Sequence, residues 1–228
     1  MRRTVIVSGG TGGLGVTVVT ALLDEGWHVV VPWVVESEIG RLPESESLTL
    51  LHADLFDEAQ VRGVVDTASG IDGAPLKAVV NLVGGFAMGE LVADTPIDEF
   101  DRMMQLNLRP LYLLTQAAVP RLAAAGGGSI VGVSARAATA PFAGAAGYIT
   151  AKAAVAVFLE TVAVEYRDVG VRANAIVPSM IDTPGNRAAQ PESTRQGWVS
   201  GERIAETVAF LVSDASSAVS GARVPVAG

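Results

Sequence analysis

Tyr148 and Lys152 stand four residues apart in a stretch that reads as helix, so both side chains leave one face of it. A phenol loses its proton near pH 10, and an ammonium about 4 Å away at an effective dielectric of about 20 would favour the phenolate by up to roughly 4 kcal/mol. On that expectation the phenol moves about two or three units toward neutrality, where it can both give and take a proton. The lysine is informative in itself: only two of the sixteen basic residues are lysines, and arginine could not hand a proton on. A second feature suits binding rather than reaction. Ser8-Gly9-Gly10-Thr11-Gly12-Gly13-Leu14-Gly15 lies between an apolar run and a helical pattern. Glycines there let the backbone turn tightly and approach a pyrophosphate, whose charge would face the free amides and positive dipole end of the helix. The spacing of Gly9, Gly13 and Gly15 is G-x-x-x-G-x-G rather than G-x-G-x-x-G, and no Lys-Ser/Thr follows to make a nucleoside-triphosphate loop.

These features need elements to position them. Apolar runs alternate with amphipathic stretches, the pattern of a parallel sheet with helices on both faces. Strands are expected at 3–8, 28–33, 48–52, 77–83, 129–133, 171–177 and 222–226, and helices at 13–25, 57–68, 96–125, 147–168 and 201–212. Thr95-Pro96 with Asp98 predicts a helix start with a hydroxyl cap. The polar segment 34–47 carries Pro43 and predicts a short or frayed crossover helix. No repeat or change of composition divides the 228 residues, so a single domain spanning 1–228 is expected, with a short polar loop at 184–200 acting as a mobile lid.

Composition removes whole classes of function. The chain has no cysteine, hence no disulfide, thiol nucleophile, iron–sulfur cluster or Cys-bound zinc. Its two histidines, His28 and His52, lack metal-site spacing and sit beside no candidate nucleophile, so neither a metal site nor a serine–histidine hydrolase is expected. A formal charge of −8 with no basic cluster beyond Arg2-Arg3 argues against a nucleic-acid partner. Mean hydropathy is +0.41, yet the charge-free interval of the Ala-rich middle, from Arg136 to Lys152, carries Pro141, Gly144 and Gly147. The apolar start at Thr4-Val5-Ile6-Val7 breaks at once into glycines. The expectation is a soluble cytoplasmic protein without a membrane partner.

The glycine spacing, Asn81-Leu82-Val83-Gly84 closing the fourth strand, Asn107 in the long helix, Ser134 after the fifth strand and Tyr148-Ile149-Thr150-Ala151-Lys152 together resemble the short-chain dehydrogenase/reductase family. The likeness runs on through Asn174, Pro178, Thr183 and Gly221-Ala222-Arg223-Val224. It implies a doubly wound, Rossmann-like, seven-stranded parallel sheet. It also implies an oxidoreductase moving hydride between a nicotinamide and a carbonyl or alcohol carbon. In that reading Tyr148 is the general acid/base, Lys152 lowers its pKa, Ser134 donates to the substrate oxygen, and Asn107 opens its helix to a water linking Lys152 with solvent. The dinucleotide would lie along Gly9, Thr11, Gly12, Gly13, Leu14 and Gly15, then Trp33, then Asp54 and Leu55. Beyond these it would meet Asn81, Val83 and Gly84, Tyr148 and Lys152, and Pro178, Ser179, Ile181 and Thr183, where Ser179 replaces the family's usual glycine.

Neither Trp33 nor Val34, which the resemblance implies are the positions that choose between cofactors, is charged; Glu36 and Glu38 nearby would repel a 2′-phosphate, which favours NAD over NADP. Phe86, Phe142, Met180 and Trp198, with Met88, are candidates for an apolar substrate pocket. Helices apolar on more than one face suggest a homo-oligomer, dimer or tetramer. Two other readings fit the fold: a catalytically silent dinucleotide-binding regulator, which would not need all four polar positions, and a sugar-nucleotide enzyme, which would need a larger substrate domain.

Overall fold

The structure, a computed structural model, describes residues 2–228 and, at Thr194, the backbone alone. The alternating pattern folds as strand–helix units: β1 (Thr4–Ser8), α1 (Gly13–Asp24), β2 (His28–Trp33), β3 (Leu48–His52), α2 (Glu58–Ser69), β4 (Leu76–Asn81), α3 (Ile97–Ala124) and β5 (Gly128–Val133). There follow α4 (Ala146–Glu165), β6 (Val171–Pro178), β7 (Ile181–Asp182), α5 (Pro184–Ala189), β8 (Val199–Ser200), α6 (Gly201–Val212) and β9 (Arg223–Val226). Seven strands pair in parallel in the order β3-β2-β1-β4-β5-β6-β9. The chain winds outward from β1 to β3 and returns to β4 on β1's other side, so its direction reverses between β1 and β4. A crevice at the carboxyl ends follows from that reversal.

Residues alternate across the strands, and both faces are apolar because both are covered. Ile6, Val79 and Ile130 pack under α2, α3 and α4 with Leu111, Leu114 and Leu159. Val7, Val80 and Val131 pack under α1 and α6 with Leu22, Ile204 and Val208. Against the expectation that no segment is apolar over the length a span needs, α4 would by length and hydropathy suffice to cross a membrane; Val155, Leu159 and Val162 turn it onto the sheet.

Local chemistry corrects some boundaries. The helix start after Thr95 is not hydroxyl-capped: Thr95 Oγ1 donates to the Glu90 and Leu91 carbonyls, and Pro96 takes the cap position of α3. Asp57 caps α2, accepting from the amides of Ala59 and Gln60. β4 ends at Asn81, two residues short of expectation. The segment 34–47 holds a single 3₁₀ stretch, Glu36–Arg41. The loop expected at 184–200 has internal order: Thr183 caps α5 by accepting from the Asn186 amide, and β8 pairs with β7.

Leu159, fully buried between α4 and the sheet, tests that packing. Leu159→Ala should lower the free energy of urea unfolding by about 2–5 kcal/mol; a loss well under 1 kcal/mol would show that α4 is not close-packed there.

Candidate active site

The glycine turn is shaped by its backbone contacts. Gly9 has φ +71°, and a Cβ there would lie 3.1 Å from the backbone of Leu82 and Val83 at the end of β4. Gly15 tolerates still less: a Cβ would fall 2.1 Å from the Gly9 carbonyl oxygen. Gly12 closes the turn by donating to the Gly9 carbonyl at 3.1 Å and stands at the N-cap of α1. It has no side chain to cap the helix, and the first turn carries no acidic residue. The amides at the start of α1 therefore suit an external anion, and the side-chain-free surface of Gly12, Gly13 and Gly15 allows close approach. Thr183 and Pro184 lie over this helix end, 3.4 Å from where a Gly13 Cβ would sit. A side chain on Gly13 would already touch them, so the glycine keeps this helix end open.

Across the crevice, α4 and the end of β5 hold the titratable pair. Lys152 is 6 % exposed and donates from Nζ to the Val133 carbonyl at 3.0 Å; burial lowers its pKa to about 8. Its Nζ lies 5.9 Å from the Tyr148 ring centre. The Tyr148 phenol is pushed above the usual 10.0 by burial, opposite to the direction expected from the sequence. The ammonium is directed at a carbonyl, so desolvation of the phenolate dominates. Asn107, 1 % exposed, donates from Nδ2 to the Met103 carbonyl and accepts at Oδ1 from the Gly85 amide, tying α3 to the segment after β4. Gly84 is the meeting point: a Cβ there would stand 2.7 Å from Asn107 Oδ1 and 2.9 Å from Lys152 Nζ. Phe86 sets its ring edge-on to Tyr148, centres 4.9 Å apart.

Residues 9–228 match the family described as enoyl-(acyl carrier protein) reductase. The chain is 31% identical over 242 residues to cyclopentanol dehydrogenase of Comamonas testosteroni, covering 99% of this chain and 96% of the relative. It is 28% identical over 246 residues to 2-(R)-hydroxypropyl-CoM dehydrogenase of Xanthobacter autotrophicus, covering 100% and 98%. The structure of a short-chain type dehydrogenase/reductase from Mycobacterium ulcerans superposes with a TM-score of 0.91 at 26% identity, over 98% of this chain and 88% of that one. The chain belongs to the short-chain dehydrogenase/reductase family. The relatives are named as dehydrogenases, and this chain is an NAD(P)-dependent oxidoreductase acting between alcohol and carbonyl; nothing favours a silent regulator.

Within this dehydrogenase/reductase the expected residues lie on several elements. Gly9, Thr11, Gly12, Gly13, Leu14, Gly15 and Thr183 gather at the start of α1. Asn81 joins the two central strands, accepting from the Ser8 hydroxyl at 2.6 Å, and its Nδ2 reaches the Val83 carbonyl. Trp33 ends β2 with its ring edge-on to His52. Asp54 closes a turn by accepting from the Phe56 amide, and Leu55 is buried in the core. Pro178 ends β6, where the Ser179 amide is held by the Val226 carbonyl, and Ile181 lies in β7. The usual glycine is therefore not required at 179. Of the apolar candidates Phe86 meets Tyr148, Phe142 and Met180 are exposed, and Trp198 sets its backbone against Gly228.

Ser134 requires a correction. It is 2 % exposed, and its hydroxyl is donated to the Lys152 main-chain carbonyl at 2.7 Å, so it offers no proton to a substrate oxygen in this arrangement. The sequence reading also missed the partners of the turn: Thr11 Oγ1 donates to Glu38 Oε2 at 2.9 Å, and Arg41 pairs with Glu38 at 3.1 Å and reaches the Thr11 carbonyl at 3.3 Å. The acidic first turn and basic last turn of the Glu36–Arg41 stretch were the only local signal for it.

Burying the Lys152 ammonium costs stability. A pKa near 8 against an ordinary 10.5 means the folded protein holds this proton less tightly than the unfolded one, so stability rises as pH climbs from about 8 to 10.5. The difference amounts to about 3 kcal/mol. Lys152→Met should be more stable than wild type in urea at pH 7 and lose that advantage by pH 10, with turnover abolished at both. A pH-independent difference would contradict the buried ammonium.

Proposed function

We propose that Tyr148 is the proton donor and acceptor for the substrate oxygen, that NAD is preferred to NADP, and that the substrate is an apolar alcohol or ketone. The observation that carries the reading is the convergence of Tyr148, Lys152 and Asn107 about Gly84, in the segment whose Leu82 and Val83 backbone packs on Gly9 of the glycine turn. The nicotinamide, when bound, supplies or accepts the hydride. In reduction Tyr148 gives its hydroxyl proton to the carbonyl oxygen; in oxidation it takes the alcohol proton back. Burial keeps the phenol protonated through neutral pH, and the Lys152 ammonium beside it stabilises the phenolate that forms when the proton leaves.

The Glu38–Thr11 hydrogen bond supports NAD. It holds a carboxylate, itself paired with Arg41, against the turn that would receive the dinucleotide, where ribose hydroxyls could donate to it. Phe86 at 54 % exposure, with Met88, Phe142 and Met180 also exposed, supports an apolar substrate. Tyr112, Val157 and Val164 leave an apolar surface on α3 and α4, which supports association of copies of this chain through those helices.

Tyr148→Phe should reduce turnover by at least about a hundredfold while dinucleotide affinity stays within about twofold, measured by stopped-flow turnover and tryptophan quenching with cyclopentanol, cyclohexanol and a hydroxysteroid as trial substrates. Retained turnover would remove Tyr148 from the chemistry. Glu38→Gln should narrow the NAD-over-NADP preference by about tenfold in calorimetry; an unchanged ratio would place selection elsewhere.

A further inference from the structure

Two consecutive residues at the end of β5 each bond to the same residue of α4. The Val133 carbonyl accepts from Lys152 Nζ at 3.0 Å, and the Ser134 hydroxyl donates to the Lys152 main-chain carbonyl at 2.7 Å. Lys152 is thereby held at both ends, by its ammonium and by its backbone. The Ser134 amide is itself fixed, donating to the Ile176 carbonyl of β6 at 2.9 Å, so the sheet sets where its side chain starts. A serine hydroxyl has one proton to donate, and this one is spent on a main-chain oxygen. Ala135 continues in extended conformation, φ −155° and ψ 153°, so its side chain turns to the opposite side of the strand from Ser134 and carries no donor.

We propose that Ser134 is a positioning residue, clamping the Lys152 turn of α4 to the end of β5, and that the substrate oxygen meets the Tyr148 hydroxyl without help from Ser134. The clamp acts through Lys152. Freed from it, the turn moves off the strand, the ammonium loses the Val133 carbonyl, and water reaches it. The other groups facing the ammonium are uncharged at neutral pH: Asn107 from α3, the backbone of Gly84, and Tyr148 from its own helix. Burial alone accounts for the lowered Lys152 pKa, so the burial that the clamp maintains is what a titration reads.

The chain has two lysines, so protein labelled with ¹³C at lysine Cε gives two signals, with Lys77 as internal reference. In wild type the Lys152 signal should titrate near 8. In Ser134→Ala it should move upward by about half a unit or more toward the ordinary lysine range, and in Ser134→Thr, which keeps the hydroxyl, it should stay. With cyclopentanol and NAD, kcat of Ser134→Ala should fall less than about tenfold, with the change in the pH profile following Lys152. A Lys152 signal that does not move in Ser134→Ala overturns the proposal, as does a loss of about 10²–10³-fold in kcat at unchanged Lys152 titration, the mark of a direct donor. If Ser134→Ala does not fold, Ser134→Cys, whose thiol is a weak donor, carries the same comparison. The titration needs neither dinucleotide nor substrate, so failure of the NAD preference or of the substrate class leaves its result standing.

Discussion

A lysine ammonium withdrawn from water is the constraint around which this site is arranged. A buried cation is tolerated only if its protons are met and its side chain cannot swing back to solvent. The end of β5 supplies an acceptor through Val133 and a main-chain clamp through Ser134. Asn107, itself satisfied by Met103 and Gly85, brings α3 to the same point, and Gly84 lacks a side chain because one there would meet both groups. Four segments remote in sequence converge on one charge, and Tyr148 is carried beside it by helical spacing alone.

The sheet explains why this charge lies at the carboxyl ends of the strands. Reversal of the winding between β1 and β4 opens the crevice, and the glycine turn after β1 fills its near side with amides. The turn is braced from both directions. Glu38 and Arg41 hold Thr11 from the crossover side, while Thr183 and Pro184 lie over Gly13 from the C-terminal side. The segment around α5 therefore lies against the start of α1, and Thr183 both caps α5 and approaches Gly13.

The parts legible in the sequence are those governed by short-range rules. Strand positions follow from apolar runs such as Val29-Val30-Val31, the cradle from glycines at fixed spacing, and the Tyr148–Lys152 pair from the helical repeat. Direction of side chains at the ends of elements is another matter. Whether Ser134 turns toward substrate or toward α4 depends on the pleat of β5 and on a carbonyl eighteen residues away, neither of which local spacing encodes. The Glu38–Thr11 contact, likewise, joins residues twenty-seven apart across a crossover too irregular to read as helix. The direction of the Tyr148 shift was misjudged for a related reason: a charge pair on paper becomes a desolvation problem once both groups are buried and the ammonium has another acceptor.

Tyr148 is a phenol whose acidity burial holds down and a positive charge brought beside it would raise. Near-ultraviolet titration of wild type minus Tyr148→Phe isolates this phenol, with and without NAD. The phenolate should appear above pH 10.0 in the dinucleotide-free protein and at clearly lower pH once NAD is bound. A phenol that titrates as free tyrosine and does not respond to NAD would contradict it.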